Sequence, residues 1–172
     1  MTSKKQILSK LNTQIPPTLE YEVPFSIYSN TLEVFSTNLE NAGGKIYHHI
    51  DISKIYPECK QILDTTKDIS YDKYDLEKTE LLILQGSFGV AQNGAIWIET
   101  QNYPKELITL TQHIAILLNQ NDIVSNMQEA YDRVDFIDIS TGIFLSGPSK
   151  TADIEQALVI GAHGAISLSV FL

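Results

Sequence analysis

The chain has 172 residues, 43% of them hydrophobic and 19% charged, which is the composition of a single globular domain and argues against a disordered or fibrous protein. Twelve basic and 21 acidic residues give a formal net charge of −9, and no segment is rich in lysine or arginine. This charge argues against binding to nucleic acids and to anionic membrane surfaces. Because Cys59 is the only cysteine, the chain itself can form no disulfide and no cysteine cluster for zinc or iron–sulfur ligation, and we expect a reducing compartment.

A short detached helix is predicted over residues 4–13, because apolar residues recur there at helical spacing and Pro16-Pro17 follows. We therefore divide the chain into an appendage, residues 1–20, and an α/β domain, residues 21–172. No segment approaches the ~20 apolar residues of a membrane span. We expect a cytoplasmic protein that is neither exported nor inserted into a membrane.

The first helix of the domain is predicted to begin with Thr31 as its N-cap and to end at Gly43-Gly44, where a left-handed C-cap requires glycine. Its apolar stripe consists of Leu32, Phe35 and Leu39. A strand over Lys45–His49 follows, and a second helix is predicted around Ile55–Leu63. The continuous apolar run Leu81–Leu84 indicates a strand buried on both faces of a sheet.

The clearest local signal is a β-hairpin, with Val90–Gln92 and Ala95–Ile98 as its strands and Asn93-Gly94 at a type I′ turn. Residues 107–118 fit two structures. Their apolar positions suit a helix, but His113–Leu118 also has the pattern of a buried strand, and periodicity does not decide between the two.

The last third of the chain alternates predicted helices and strands. Ser125 begins a helix with capping-box spacing, and strand candidates follow at Phe136–Ile139 and Ile143–Leu145. A helix is then predicted from about Ala152 to Ile160, and Ser167–Leu172 forms the final strand. This alternation predicts an open α/β fold with a mainly parallel sheet, helices on both faces and the β-hairpin.

The turn at Gly147–Thr151 is the first candidate for a ligand site. Backbone N–H groups, two hydroxyls and Lys150 at the start of the predicted helix would attract a phosphate or carboxylate. The alternative is simple helix capping, because Asp153 and Glu155 place acids in the same first turn. The sequence contains no P-loop, G-x-G-x-x-G, H-E-x-x-H or G-x-S-x-G pattern, so nucleotide, zinc-protease and serine-hydrolase sites have no support.

The four histidines differ in their predicted surroundings. His48 and His49 end a predicted strand, with one ring toward the core and the other toward water, and His113 is expected to be a satisfied core histidine. His163 lies between glycines after the predicted C-terminal helix, in a more exposed position, and is the histidine we include in the candidate site.

Three segments resemble the LUD-domain proteins, specifically the third component of the bacterial lactate-utilisation system. Residues Phe144–Glu155, followed by Val159, Gly161, His163 and Gly164, are similar to the family pattern F-I-S-G-P-S-x-T-A-D-I-E and V-x-G-x-H-G-P. Gly86–Gly94 resembles the family's A-E-T-G hairpin, and Leu39–Ile46 resembles its first helix-to-strand junction. The resemblance implies the fold of sugar-phosphate isomerases and CoA transferases (NagB/RpiA/CoA transferase-like), and it favours a strand over His113–Leu118.

Two positions depart from the family pattern. Gln92 replaces the hairpin glutamate, and the related CoA transferases use a glutamate there as the nucleophile that forms an acyl anhydride, which an amide cannot do. Ala165-Ile166 stands where the family usually continues with Pro-Arg, so an anion-binding arginine is missing.

The resemblance implies an accessory component of L-lactate oxidation to pyruvate, without redox chemistry, metal or cofactor of its own, beside iron–sulfur subunits. The alternative is a protein that binds a small anionic ligand (a sugar phosphate, carboxylate or CoA-type molecule), or a diverged enzyme with His163 or Asp153 as acid or base. A third hypothesis is an interaction scaffold. No catalytic residue is assigned, and the candidate ligand-binding residues are Ser87, Gln92, Asn93, Gly94, Gly147, Pro148, Ser149, Lys150, Thr151, Asp153, His163 and Gly164.

Overall fold

The computed structural model describes residues 27–67, 78–101, 103–134, 141–154, 157–161 and 164–172. The helices in these ranges are α1 (Thr31–Asn41), α2 (Ile52–Ile55), α3 (Leu107–Leu110) and α4 (Met127–Arg133). No helix in this part of the chain has the length and apolar composition needed to cross a bilayer. The predicted helix at residues 4–13 and the predicted strand Phe136–Ile139 lie outside the described residues.

A five-stranded parallel sheet forms the centre of the domain. In spatial order its strands are β1 (Lys45–Tyr47), β11 (Ser167–Phe171), β6 (His113–Leu117), β3 (Leu81–Gln85) and β2 (Ile62–Asp64). The inner strands β3 and β6 are almost continuously apolar, as expected for parallel strands covered on both faces, and β11 carries two serines among its apolar residues. The predicted parallel sheet, with its strands at Leu81 and Ser167, is confirmed.

The hairpin belongs to a second sheet, whose strands in spatial order are β7 (Ile123–Val124), β4 (Phe88–Val90), β5 (Ala95–Glu99) and β8 (Gly142–Leu145). β5 pairs antiparallel with both β4 and β8, which confirms the predicted hairpin and the predicted strand at Ile143–Leu145. A separate antiparallel pair consists of β9 (Lys150–Ile154) and β10 (Ala157–Ile160).

The main core lies between one face of the parallel sheet and the elements α1, α3 and β5. Phe35 and Leu39 of α1 are fully buried there beside alternate residues of β3, such as Leu82 and Leu84. The other residues of β3 point to the opposite face, where they pack against Tyr56 after α2. Helices therefore lie on both faces of the sheet, as the sequence predicted.

The predicted helix around Ile55–Leu63 is wrong. α2 begins after its N-cap Asp51, whose side chain accepts the Ser53 N–H, and it ends at Ile55. Because Pro57 disfavours helical geometry in the residue before it, Tyr56 leaves the helix with a ψ of 58°. Leu63, with 1% of its surface exposed, instead belongs to β2.

Residues 107–118 contain both of the structures that periodicity left open. α3 ends at Leu110, its C-cap Thr111 has an extended ψ of 146°, and β6 begins at His113. The first helix is capped by Asn30 rather than Thr31, and the later one by Asn126 rather than Ser125, since these asparagine side chains accept N–H groups of the first turns. β1 ends at Tyr47, two residues earlier than predicted.

The predicted helix over Ala152–Ile160 is also wrong, since β9 and β10 occupy this segment. Ile160 pairs with Lys150 and Val159 with Thr151, and the Gly161 N–H continues the ladder by donating to the Ser149 carbonyl at 2.9 Å. Cross-strand hydrogen bonds thus satisfy backbone groups that a helix would have paired internally. Strand pairing within this hairpin overrides the helix propensity of the alanine- and glutamate-containing sequence.

Candidate functional site

The hairpin loop, residues 91–94, is the structural centre of the candidate site. Gly94 adopts a φ of +64°, and the Asn93 side-chain oxygen accepts the Ala95 N–H at 3.0 Å. Among the described non-glycine residues, a positive φ occurs only at His49, so Asn93 does not have the conformation of a type I′ turn. The hairpin is confirmed, but its connection is a longer loop than the one predicted.

The loop lies directly on helix α1. A Cβ at Gly94 would stand 2.4 Å from the Leu39 backbone nitrogen, so glycine is required by close approach as well as by its φ angle. The Asn38 side-chain amide donates to the carbonyls of Ala91 and Gln92, at 2.8 and 3.2 Å. One helical turn of α1 thereby fixes the path of the whole loop.

Gln92 connects the loop to helix α4. Its N–H donates to the Ser125 carbonyl at 3.0 Å, and its side-chain oxygen accepts the Met127 N–H, also at 3.0 Å. The same helix start is satisfied by Asn126, which accepts the Glu129 N–H, and by the Glu129 carboxylate, which accepts the Ser125 N–H. The Gln92 side chain therefore acts as a supplementary N-terminal cap of α4.

The segment after β8 meets the loop at the end of α1. The Ser146 hydroxyl donates to the Asn93 carbonyl at 3.0 Å. Gly147 has a φ of +74°, and a Cβ there would lie 2.4 Å from the carbonyl oxygen of Ala42. The structure thus brings together the two sequence segments, the hairpin loop and the glycine turn, from which the candidate site was predicted.

Lys150 lies at the C-terminal end of α1. A Cβ placed on Gly43 would be 3.3 Å from the Lys150 Nζ, so this ammonium group lies close to the helix end. The last turn of α1 contains no basic residue of its own. The ammonium group of Lys150 therefore complements the negative end of the helix dipole, which is a structural explanation for this lysine.

Ser149 is held by backbone pairing rather than by a helix start. Its N–H donates to the Ala165 carbonyl at 2.9 Å, and a Cβ at Gly164 would lie 3.1 Å from the Ser149 Cβ. Because β9 follows instead of a helix, this turn does not provide the positive N-terminal end of a helix dipole. The predicted anion-binding helix N-terminus is therefore wrong, although Ser149 and Gly164 are neighbours.

Three of the predicted ligand-binding residues cannot be placed as side chains. Thr151 and Asp153 belong to β9, and the structure describes only their backbone. His163 lies outside the described residues. Their assignment to a ligand site stays a prediction.

Ser87 is separated from the rest of the predicted set. It precedes β4, whereas Gln92 follows this strand at its other end. The Ser87 hydroxyl donates to the Glu99 carboxylate at 3.2 Å, and its N–H donates to the Trp97 carbonyl. These contacts give Ser87 a role at the base of the hairpin.

An open groove of about 510 Å³, which we call the α3 groove, lies beside Gly164. Its described lining residues are Thr109, Leu110, Thr111, Gln112, Gly161, Gly164 and Ile166. The groove runs between the end of α3 and the residues Gly161, Gly164 and Ile166. Its volume falls within the range of small-molecule sites.

The histidines are placed differently from one another. His48 and His49 are both exposed, so the prediction that one ring faces the core is wrong, because β1 ends before them. The His113 Nδ1 lies 2.8 Å from the Ser167 hydroxyl, and its ring lies 5.3 Å from that of Tyr56. His113 is thus a satisfied, partly buried histidine, as predicted.

Cys59 is half-buried beside the cluster around Tyr56. Burial raises the pKa of its thiol, and the nearby carboxylates of Glu80 and Glu58 raise it further. The thiol is therefore protonated near neutral pH and is a weak nucleophile. Within the described residues, no group of three or more His, Cys, Asp or Glu side chains is arranged to hold a metal ion.

Comparison with protein families matches the LUD domain over residues 6–172. The chain belongs to the LUD domain family. The crystal structure of a DUF162 family protein from Deinococcus radiodurans is similar to it, with a TM-score of 0.60 and 12% sequence identity over 82% of this chain and 94% of that one. This likeness shows the fold. Comparison with curated proteins gave no significant match.

Several residues that hold this LUD-domain site together were not predicted. Asn38 carries no distinctive signal, because an asparagine inside a predicted helix looks like any exposed polar position. Ser146 lies within the segment that resembles the family pattern, and this is the only feature of the sequence that indicates a role for it. The Met127 N–H could be anticipated as a free donor at a helix start, but its partner across 35 residues could not.

Proposed function

We propose that this LUD-domain chain is an accessory component of an L-lactate utilisation system, without redox chemistry of its own, which acts beside subunits that carry iron–sulfur clusters. The observation that carries the proposal is the family match over residues 6–172, since the LUD family is associated with lactate utilisation. A chain with one cysteine cannot supply the thiolates of a cluster, so the electron carriers belong to partner subunits.

The environment of Gln92 supports a role without acyl transfer. An amide oxygen cannot form the acyl anhydride that the resemblance to CoA transferases would require. In addition, this oxygen accepts the Met127 N–H at 3.0 Å, so it serves the junction between the hairpin loop and α4. Compared with the glutamate of the family pattern, Gln92 keeps a hydrogen-bond acceptor but carries no negative charge.

A growth experiment tests the accessory role. Deleting the gene from the source organism is expected to abolish growth on L-lactate and to leave growth on pyruvate, the oxidation product, unchanged. Wild-type protein restores growth, and Gln92→Glu is expected to restore it equally because both side chains can accept the Met127 N–H. Undiminished growth of the deletion strain on L-lactate would contradict the proposal.

A second candidate function is small-molecule binding, favoured by the convergence of the hairpin loop, the Gly147 turn and the α3 groove beside Gly164. A ligand that binds only the folded chain raises its unfolding temperature by mass action. Lactate, pyruvate, phosphate, a sugar phosphate and CoA are the ligands to screen. A shift that Ser149→Ala removes would support this candidate, and no shift with any of them would count against it.

A further inference from the structure

The hairpin loop contains the single Asn-Gly pair of the sequence, Asn93-Gly94. Asparagine is a chemically labile residue, and a glycine that follows it has no Cβ to shield its own backbone nitrogen. This nitrogen can attack the side-chain amide carbon of the asparagine. The new C–N bond closes a succinimide ring and ammonia leaves, after which water opens the ring to aspartate or isoaspartate. Asn93 is exposed, so water has access to it.

In the folded chain, hydrogen bonds hold both of the reacting groups. The Gly94 N–H donates to the Val90 carbonyl at 2.9 Å, across the four-residue offset of a helical turn. The Asn93 side-chain oxygen accepts the Ala95 N–H at 3.0 Å. The attack requires the Gly94 nitrogen to release its proton and the peptide plane between the two residues to turn. The bond to Val90 must therefore break before the ring can close.

The neighbouring contacts resist this movement. The Ser146 hydroxyl donates to the Asn93 carbonyl, which belongs to the peptide plane that must turn. Gly94 lies so close to α1 that a Cβ there would stand 2.4 Å from the Leu39 nitrogen. The Asn38 amide holds the two preceding carbonyls of the loop. The reactive geometry is therefore reached only when the loop lifts off α1, and the rate follows the fraction of molecules in which it is open.

We propose that Asn93 is a site of spontaneous deamidation, gated by the contact between the hairpin loop and α1, so that its modification records how often the loop opens. The two products differ in their consequences. Aspartate keeps an oxygen that accepts the Ala95 N–H and adds a negative charge. Isoaspartate carries the main chain through the former side chain, and the added backbone carbon displaces Gly94 from its position on Leu39. The isoaspartyl form therefore loses the loop contacts that the aspartyl form keeps.

The stability of the two products tests this difference. Asn93→Asp supplies the aspartyl product and should unfold at the same urea concentration as the wild type. Deamidated chain that ion exchange has enriched in isoaspartate should unfold at a lower urea concentration. Equal stability of the isoaspartyl chain and Asn93→Asp would contradict the effect assigned to the added backbone carbon.

Peptide mapping by mass spectrometry measures the gating. The full chain is kept in mildly alkaline buffer, either folded or in denaturing guanidinium chloride, and the modified fraction of Asn93 is followed with time. The folded chain should be modified at least about tenfold more slowly than the unfolded chain, because only its open fraction reacts. Equal rates, or no modification of Asn93 in the unfolded chain, would overturn the proposal.

Three variants separate local opening of the loop from unfolding of the whole chain. Asn38→Ala removes two hydrogen bonds from the loop and should raise the rate in the folded chain roughly tenfold. Asn41→Ala repeats the substitution at an exposed position of the same helix and should leave the rate unchanged. Tyr56→Phe weakens the packing on the opposite face of the sheet and should also leave it unchanged. Equal acceleration by Asn38→Ala and Tyr56→Phe, or none by Asn38→Ala, would show that the loop contacts do not gate the reaction.

Discussion

Replacing Gln92 with alanine is expected to destabilise the fold, because the Met127 N–H loses its acceptor at the start of α4. Capping interactions are worth about 0.5–2 kcal/mol. Gln92 is exposed, which places the expected loss at about 1 kcal/mol, or ~2–4 °C in unfolding temperature for a domain of this size. Gln92→Glu keeps an acceptor oxygen and adds a favourable charge at the helix N-terminus, but that charge also repels Glu129. Its net effect should stay within about 0.5 kcal/mol of zero.

Urea unfolding at neutral pH, followed by circular dichroism, measures these differences in the free energy of unfolding. Gln120→Ala is the matched control, since Gln120 is an exposed glutamine in a turn. The control should unfold like the wild type. The capping role of Gln92 would be refuted if Gln92→Ala were as stable as the control, or if Gln92→Glu were destabilised as much as Gln92→Ala.

Three further substitutions should change stability by known mechanisms, each measurable by urea unfolding. Gly94→Ala should cost more than ~2 kcal/mol, because its Cβ would overlap the α1 backbone at positive φ. Gly43→Ala shares the positive φ but would meet only the flexible end of Lys150 and, at ordinary contact distance, Pro148, so it should cost about 1 kcal/mol. Similar losses for both would show that the close approach is unimportant. Tyr56→Phe should cost about 1–2 kcal/mol, since the buried Ser169 hydroxyl loses its partner at 2.6 Å, and an unchanged stability would show that the bond contributes nothing. Backbone N–H groups of Gln61 and Lys60 lower the pKa of Glu80, so its contribution is complete above the unfolded pKa of about 4.3 and is lost as pH falls through the lower folded value. Glu80→Gln should therefore reduce stability at pH 7 and flatten its pH dependence below about pH 4.3, and an unchanged acid profile would contradict this assignment.

Much of the fold was predictable because its signals are local. The apolar run of β3, the hairpin and the glycine end of α1 each follow from side-chain pattern or backbone conformation within a few residues. The segment Ala152–Ile160 was mispredicted because its residues tolerate a helix, whereas the structure pairs β9 and β10 as a short antiparallel hairpin. The Ile55–Leu63 segment is not a helix because Pro57 disfavours helical geometry at Tyr56, an effect that hydrophobic spacing alone does not reveal.

The candidate site was predictable in part through resemblance. The family pattern pointed to the hairpin loop and to Gly147, and the structure places them together at the end of α1. The predicted anion site depended on a helix beginning at Gly147–Thr151, and strand β9 occupies that place instead. Neither the role of Lys150 at the α1 C-terminus nor that of Gln92 as a cap of α4 could be deduced, because both are contacts between residues remote in sequence.

The accessory role is tested most directly by measuring L-lactate-dependent reduction of an artificial electron acceptor by the purified iron–sulfur subunits, with and without this chain. We expect that the chain alone reduces no acceptor and that omitting it lowers the rate of the assembled system. Lactate oxidation by the chain alone, or a full rate from the other subunits without it, would contradict the proposal.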